Sequence, residues 1–312
     1  MKATPAQAKN WRTEMTEGKY TPVLDNCITC FACNETCPNG ANPCDQNLAL
    51  HEKYRSLVPQ HVVEAMEEDN LFAGEVKGVL QADRIMTTCS YEKSKPELIQ
   101  GQLYDLPRVG GKPYLCWSIF PHLGAPSVQR KHLQSMVDRL GMTGAKEVVC
   151  FHVDCYSALA RIAPDAGIDI PFRPVHLAEY LVEYLRQYGD GVKSLGLSIA
   201  YQRPCTSRYT PEAERYIDEL FDLTGANRVK RAYDREKALC CTSVRLLYGK
   251  GNDRVDREKN VLDAKEAGAE AIVYLCPICK DMLTDVASEH SLPLIFLGDL
   301  ARAALGEIRL PV

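Results

Sequence analysis

The chain has 312 residues, 46% apolar and 25% charged, an ordinary globular composition with length for more than one domain. Its 37 Lys and Arg against 41 Asp and Glu leave a net charge of −4, which gives no basic footprint for nucleic acid or anionic lipid. The longest apolar runs, residues 271–275 and 292–297, are strand-sized and far short of a membrane span.

Residues 1–20, MKATPAQAKNWRTEMTEGKY, lack the apolar stretch of a secretory signal and read as a polar, flexible arm. Fourteen cysteines without an export signal point to metal or redox chemistry in a reducing, cytoplasmic setting rather than to disulfides. Buried structural thiols are the alternative, and the spacing of the motifs weighs against it. Residues 21–45 contain CITCFACNETCP, with Cys27, Cys30, Cys33 and Cys37 before Pro38, followed by Cys44. Three thiolates at two-residue intervals wrap three corners of a [4Fe–4S] cubane, and loop amides can bond its sulfides, whereas zinc knuckles use two separate CxxC pairs. In two-cluster ferredoxins the cysteine before Pro ligates the other cluster, and this chain has one such run. The expected fourth ligand is Cys37 turned back on the same cluster, with Cys44 or another thiol as alternatives. Phe31 either shields the cluster or makes an ordinary apolar contact. Residues 46–80 carry apolar positions three to four apart and predict helix, so that 21–82 reads as a small helical ferredoxin-like domain.

The remainder is an internal duplication. Residues 144–155 superpose on 268–279, setting His152 on Cys276 and Cys155 on Cys279, 124 residues apart. The same offset sets Leu115-Cys116-Trp117 on Leu239-Cys240-Cys241 and Arg130 on Arg254. Cys89-Ser90 corresponds to Cys205-Thr206. Each half predicts a helix (128–140; 253–267), a strand (147–151; 271–275), a cysteine-bearing turn at the strand's carboxyl end, a second helix (156–162; 280–288), a short strand and a final helix. The fold class expected is α/β: the helical ferredoxin-like domain, then tandem repeats over 83–192 and 193–312 with short parallel sheets. Ligands are expected at the carboxyl ends of such strands, and a helix N-terminus near Cys279 stabilises thiolate charge. Cys150, inside a predicted strand, is expected to be core.

The second repeat carries Cys205, Cys240, Cys241, Cys276 and Cys279, with 34 residues on either side of the adjacent pair. Five thiolates exceed what one tetrahedral ion needs and suit a larger iron–sulfur assembly. This set, and the order of ferredoxin motif then two cysteine-rich repeats, resembles the cysteine-rich CCG-domain family of heterodisulfide reductase B and D subunits. Related modules occur in a succinate dehydrogenase component and in anaerobic glycerol-3-phosphate and glycolate dehydrogenases. The motif's usual Gly after Cys-Cys is Thr242 here, and the ferredoxin part is shorter than the two-cluster form. The resemblance implies a noncubane [4Fe–4S] cluster on those five cysteines, which are then also the catalytic set. A disulfide is cleaved there, each sulfur being captured at iron as electrons arrive singly. The implied protein is an iron–sulfur subunit, an oxidoreductase acting on a thiol, disulfide or sulfur-carrier substrate within a larger complex with a flavoprotein or further iron–sulfur subunits. The alternatives are a non-catalytic electron-transfer subunit linking a flavin dehydrogenase to a quinone, and a zinc-binding scaffold.

In the first repeat the equivalent positions hold Cys89, Cys116, Trp117, His152 and Cys155. A five-thiolate cluster cannot form there. The Cys3His set of Cys89, Cys116, His152 and Cys155 fits zinc or a further iron–sulfur cluster with one imidazole ligand; the alternative is a repeat that binds nothing, with Trp117 filling the volume. Arg203, Arg208, Arg245 and Lys250 flank the intact motif and either neutralise the cluster or hold an anionic thiol, or are plain surface charge. Gly249-Lys-Gly251 lacks P-loop spacing and reads as a turn, and no GxGxxG follows a strand, so a nicotinamide or flavin site has no support and a partner must exchange electrons with the chain. His51, His61, His122, His132, His176 and His290 are read as surface or structural.

Overall fold

The computed structural model describes residues 3–39, 41–76, 80–248 and 254–312; the Gly249–Gly251 turn and Lys250 fall outside them. Two four-stranded sheets, each wholly parallel, follow a helical N-terminal segment. The first runs β2 (Arg108–Gly110), β1 (Arg84–Cys89), β3 (Glu147–Cys150), β4 (Arg173–His176), and the second β6 (Asn227–Arg228), β5 (Ser198–Gln202), β7 (Ala271–Tyr274), β8 (Leu294–Phe296), each in spatial order. The orders are the same, β1 answering to β5 and β3 to β7, as the duplication requires. Parallel neighbours need crossovers, supplied in the equivalent place by helices Pro126–Gly141 and Arg254–Glu266. The central strands are buried almost without break, because helices cover both faces.

The inner faces of both sheets meet in one core. Met86, Val149 and Val175 join Ile199, Val273 and Ile295 across helices Leu177–Tyr188, Glu214–Thr224 and Leu297–Ala304. The repeats therefore cannot move apart without opening that core. The outer face of the first sheet packs on Leu133, Met136 and Leu140, and that of the second on Val261, Leu283 and Val286.

Three elements differ from the sequence reading. Helix Pro5–Thr16 occupies the arm: Thr4 and Gln7 form a reciprocal capping box, Pro5 sits in the first turn, and Met15 is buried. The helical stretch expected over 46–80 is two helices, Pro43–Tyr54 and Gln60–Asn70, split by Pro59; Leu71 is already extended. The helix after β3 begins at Val153 and widens into a π turn over Ala158–Ile162, just before Pro164, which has no amide to donate back. Among the described residues no helix is long and apolar enough to cross a membrane.

Candidate functional site: thiol clusters and a pocket between the repeats

The cysteines sit where parallel strands end. Cys89 is the last residue of β1, Cys205 lies three residues beyond β5, and Cys276 caps the helix Pro277–Glu289 that follows β7, with Cys279 in its first turn. In the second repeat the thiols contact one another in the chain Cys205, Cys240, Cys241, Cys279, Cys276. The amide of Thr242 donates to Cys240 Sγ at 3.4 Å. Thr242 holds φ +66, the left-handed conformation that explains a glycine at this place in the motif; its hydroxyl donates to the Cys241 carbonyl at 2.6 Å.

The two end thiols meet buried histidines, both from the first repeat. His122 Nε2 lies 3.7 Å from Cys205 Sγ, and His152 Nε2 lies 3.3 Å from Cys276 Sγ. The opposite ring nitrogens are also engaged. His122 Nδ1 is 3.0 Å from Thr29 Oγ1, and His152 Nδ1 is 3.5 Å from the carboxylate of Asp154, which accepts from the Thr206 hydroxyl. The contact with Cys240 draws Cys205 down to about 6 against burial, with His122 adding to the effect; Cys279 and then His152 do the same for Cys276, lowered to about 7. Burial alone would lower both histidines. Cys205 outweighs it and raises His122 to about 9, and Asp154 with Cys276 raises His152 to about 10.

In the first repeat Cys89, Cys116 and Cys155 are all buried, their sulfurs within 4.8 Å of one another. Hydrogen bonds from Cys116 and Cys155 hold the Cys89 thiol well below its usual range, while the same contacts and burial hold Cys155 up. His152, expected as their fourth ligand, is not brought to this trio. It turns toward Cys276, with the Tyr91 hydroxyl 3.5 Å away. Trp117 stacks on His132 (ring centroids 4.0 Å) and packs among Val58, Val63 and Phe120. Cys150 is buried in the core.

In the N-terminal loop the thiol that meets Cys33 is Cys44, not Cys37. Their hydrogen bond lowers Cys33 and raises Cys44, whose pKa is pushed further up by burial and by Cys27 and Cys30. The Asn34 side chain accepts from the Cys44 amide at 2.7 Å, fixing it there, while Cys37 is only half-buried. Phe31, at φ +59, is buried against Cys44, Leu48, His122 and Tyr209, with Cys205 on the same apolar patch. The ferredoxin-type loop thus abuts the second repeat.

Two of the flanking arginines are not surface charges. Arg203 and Arg208, 4% and 7% exposed, both donate to Glu35 Oε2 at 2.8 and 2.5 Å. Arg203 also pairs with Glu214, and Arg208 donates to the carbonyls of Glu236 and Ala238. Arg245 faces Asp256.

A pocket of about 500 Å³ lies between the repeats, lined by Cys89 and Cys116 from one and Cys205, Cys241, Cys276 and Cys279 from the other. Its remaining wall is mostly apolar, with Trp117, Leu246 and Ile278, and holds Asp154 but, among the described residues, no Lys or Arg. Sequence reasoning did not single out His122, Asp154, Thr29 or Tyr91. No repeat signal marks His122, since the residue 124 positions on is Leu246.

Comparison with known proteins agrees with this geometry. Residues 199–284 match the family model of the cysteine-rich CCG domain. A solved structure, that of a hypothetical protein from Helicobacter pylori, superposes with a TM-score of 0.62 at 11% identity, covering 88% of this chain and 60% of that one; this likeness concerns the fold alone. The matched stretch is the second repeat, which is thus similar to a cysteine-rich CCG domain. Over 88% of its length it is similar, at 25% identity, to the D subunit of the dihydromethanophenazine:CoB–CoM heterodisulfide reductase from Methanosarcina mazei, spanning 76% of that protein. Over 57% of its length it is 26% identical to the corresponding D subunit from Methanosarcina barkeri, of which the match spans 45%.

Proposed function

We propose that this chain is a heterodisulfide-reductase-like iron–sulfur subunit whose second repeat is the redox centre for a thiol or disulfide substrate. The observation that carries this reading is the unbroken contact chain of five thiols, Cys205 to Cys276, opening on a pocket. The donor set fits a multinuclear iron–sulfur group: five sulfur ligands, an amide donor to Cys240, and two of the thiols drawn toward the thiolate form. Bound there, a noncubane [4Fe–4S] cluster supplies single-electron steps to a sulfur substrate. The residues around it do the rest. Cys205, Cys240, Cys241, Cys276 and Cys279 hold the group, Trp117, Leu246 and Ile278 offer an apolar wall to an uncharged substrate body, and the shared core keeps the pocket walls in register.

Cys27, Cys30 and Cys33, with Cys44 in place of the expected Cys37, are the ligand set for a [4Fe–4S] cubane that brings electrons in or takes them out. Cys89, Cys116 and Cys155 form a third, three-thiol site suited to zinc or a further cluster. Redox partners, a flavoprotein or other iron–sulfur subunits of a complex, exchange electrons at the N-terminal cluster. A cytoplasmic setting follows from keeping fourteen thiols reduced.

The test is anaerobic purification with iron, sulfide and zinc analysis, EPR spectroscopy, and disulfide reduction driven by a low-potential dye. The wild type should be coloured, show an oxidised-state signal that responds to thiol, and reduce the disulfide. Cys241→Ser, at the middle of the five, should lose that signal and the turnover while keeping the cubane. A colourless protein, a single zinc in the second repeat, or full turnover in Cys241→Ser overturns the proposal; iron without disulfide turnover assigns the chain to electron transfer alone.

A further inference from the structure

The first repeat has lost two of the five thiol positions, yet the residues it supplies instead do not face its own three-cysteine site. We propose that the first repeat completes the second: His122 and His152 are positioning residues whose Nε2–H groups hold the sulfurs of Cys205 and Cys276, the two ends of the five-thiol chain. The inference rests on the reading of those five cysteines as ligands of an iron–sulfur group, and deepens it.

Four observations carry it. Both rings are buried, at 7% and 3% exposure, so each must satisfy its nitrogens within the protein. Each Nε2 is directed at a different end thiol, at 3.7 and 3.3 Å, and at none of the middle ones. Each Nδ1 is anchored on the far side, by the Thr29 hydroxyl for His122 and by the Asp154 carboxylate for His152. A Thr29 hydroxyl that donates to Nδ1 leaves the His122 proton on Nε2, while His152, with the Asp154 carboxylate at Nδ1 and a sulfur at Nε2, both acceptors, satisfies the two together by carrying a proton on each nitrogen. The Tyr91 hydroxyl, 3.5 Å from His152 Nε2, is farther than the sulfur. Finally, the anchors are tied back to the same site. Asp154 accepts from Thr206, the residue after Cys205, and Thr29 lies between Cys27 and Cys30 of the N-terminal loop. One connected network thus joins both ends of the thiol chain and the neighbouring cluster loop.

The backbone at 152 still obeys the duplication. His152 caps the helix beginning at Val153 just as Cys276 caps the helix beginning at Pro277. What changed is the side chain: an imidazole at a former ligand position spans to the sister position of the other repeat and donates to its sulfur. Hydrogen bonds to ligand sulfurs withdraw electron density and favour the reduced form of an iron–sulfur group.

The experiment uses the full chain, purified anaerobically with its clusters, as wild type, His122→Ala, His152→Ala, His122→Gln and His152→Gln. Readouts are iron, sulfide and zinc content, EPR line shape, and the midpoint potential of the second-repeat cluster by redox titration. Each alanine variant should keep the full metal content and favour the oxidised form about tenfold more, a midpoint about 59 mV lower for a one-electron couple. Each glutamine variant, whose amide Nε2–H can reach the same sulfur, should recover most of that shift. A potential and EPR spectrum unchanged in both alanine variants, with clusters intact, overturns the inference while leaving the function standing. So does loss of the first repeat's metal in His152→Ala, which would make His152 a ligand there. Should an alanine variant fail to fold, its glutamine partner decides: a wild-type potential supports the inference, and a shift as large as tenfold overturns it. A wild type without iron in the second repeat overturns the function itself and this inference with it.

Discussion

Glu35 is the residue through which the ferredoxin-type loop is fastened to the second repeat. It ends the short helix Ala32–Glu35, between Cys33 and Cys37, and one of its oxygens accepts from both Arg203 and Arg208, residues that flank Cys205. Removing the carboxylate leaves two nearly buried guanidinium groups short of a partner. Breaking a buried pair costs about 3–5 kcal/mol. Here Arg203 keeps Glu214 and Arg208 keeps two backbone carbonyls, and the Glu35 side chain is 16% exposed, so the cost falls below that range and we expect about 2 kcal/mol for Glu35→Ala. Unfolding of a chain of two repeats with the proposed clusters is not expected to be two-state, so a global midpoint is a poor gauge. Amide hydrogen exchange is the better assay, because local opening is read segment by segment. Exchange across residues 27–39 and 203–209 should quicken about 30-fold, the factor equivalent to about 2 kcal/mol, while the sheet residues of the first repeat stay as protected as before. A change below about twofold, or one spread evenly through the chain, would refute the reasoning.

Two further predictions concern the frame. A Cβ at Gly298 would run into the Tyr104 hydroxyl and the Phe296 ring, and that hydroxyl has no hydrogen-bond partner among the described residues; Gly298→Ala should cost about 1–3 kcal/mol, read as faster amide exchange across helix Leu297–Ala304, with Tyr104→Phe neutral alone and restorative in combination. No rescue would disprove that clash. Burial lowers His176 to about 4, and its neutral Nδ1 accepts from the Ala178 amide at 3.1 Å as a helix cap. Its pKa is depressed in the fold, so stability is fully present above pH 6.5 and is lost as pH falls toward 4, by about 3 kcal/mol in all. His176→Asn keeps a capping side chain and should remove about 2 kcal/mol of the loss between pH 7 and 5; parallel pH profiles for the two proteins would count against it.

What the sequence disclosed follows from which interactions are local. The offset of 124 residues between His152 and Cys276 located β3 and β7 and the turns after them, because strand, turn and helix signals recur at the same spacing. The edge strands β2 and β6, three and two residues long, carry too little pattern to be read. The cysteine motifs identified which thiols gather, since ligands supplied by one turn have fixed intervals. The choice between Cys37 and Cys44 was not local: it depends on Asn34 and the helix Pro43–Tyr54 folding back. Nor were the partners of Arg203 and Arg208, whose shared Glu35 lies 168 and 173 residues away, so cations that look like substrate anchors in the chain are internal ion pairs in the fold.

The same distinction accounts for the first repeat. Duplication places a pair of equivalent turns at the carboxyl ends of two sheets, and the common core holds those sheets together, so the turns border one pocket. A position in one repeat then has two possible partners, the thiols of its own turn and those of its sister. A cysteine side chain is too short to reach across; an imidazole is longer and does. Replacing a ligand thiol by histidine therefore need not abolish its role in sulfur chemistry. If the thiols bind metal as proposed, it exchanges one more ligand in the first site for a hydrogen bond to a ligand in the second, while Trp117 packs on His132 and among Val58, Val63 and Phe120. If the five thiols hold an iron–sulfur group as proposed, the asymmetry between the repeats is a division of labour: one repeat holds the group, and its sister, freed from holding another, bonds the sulfurs at its ends.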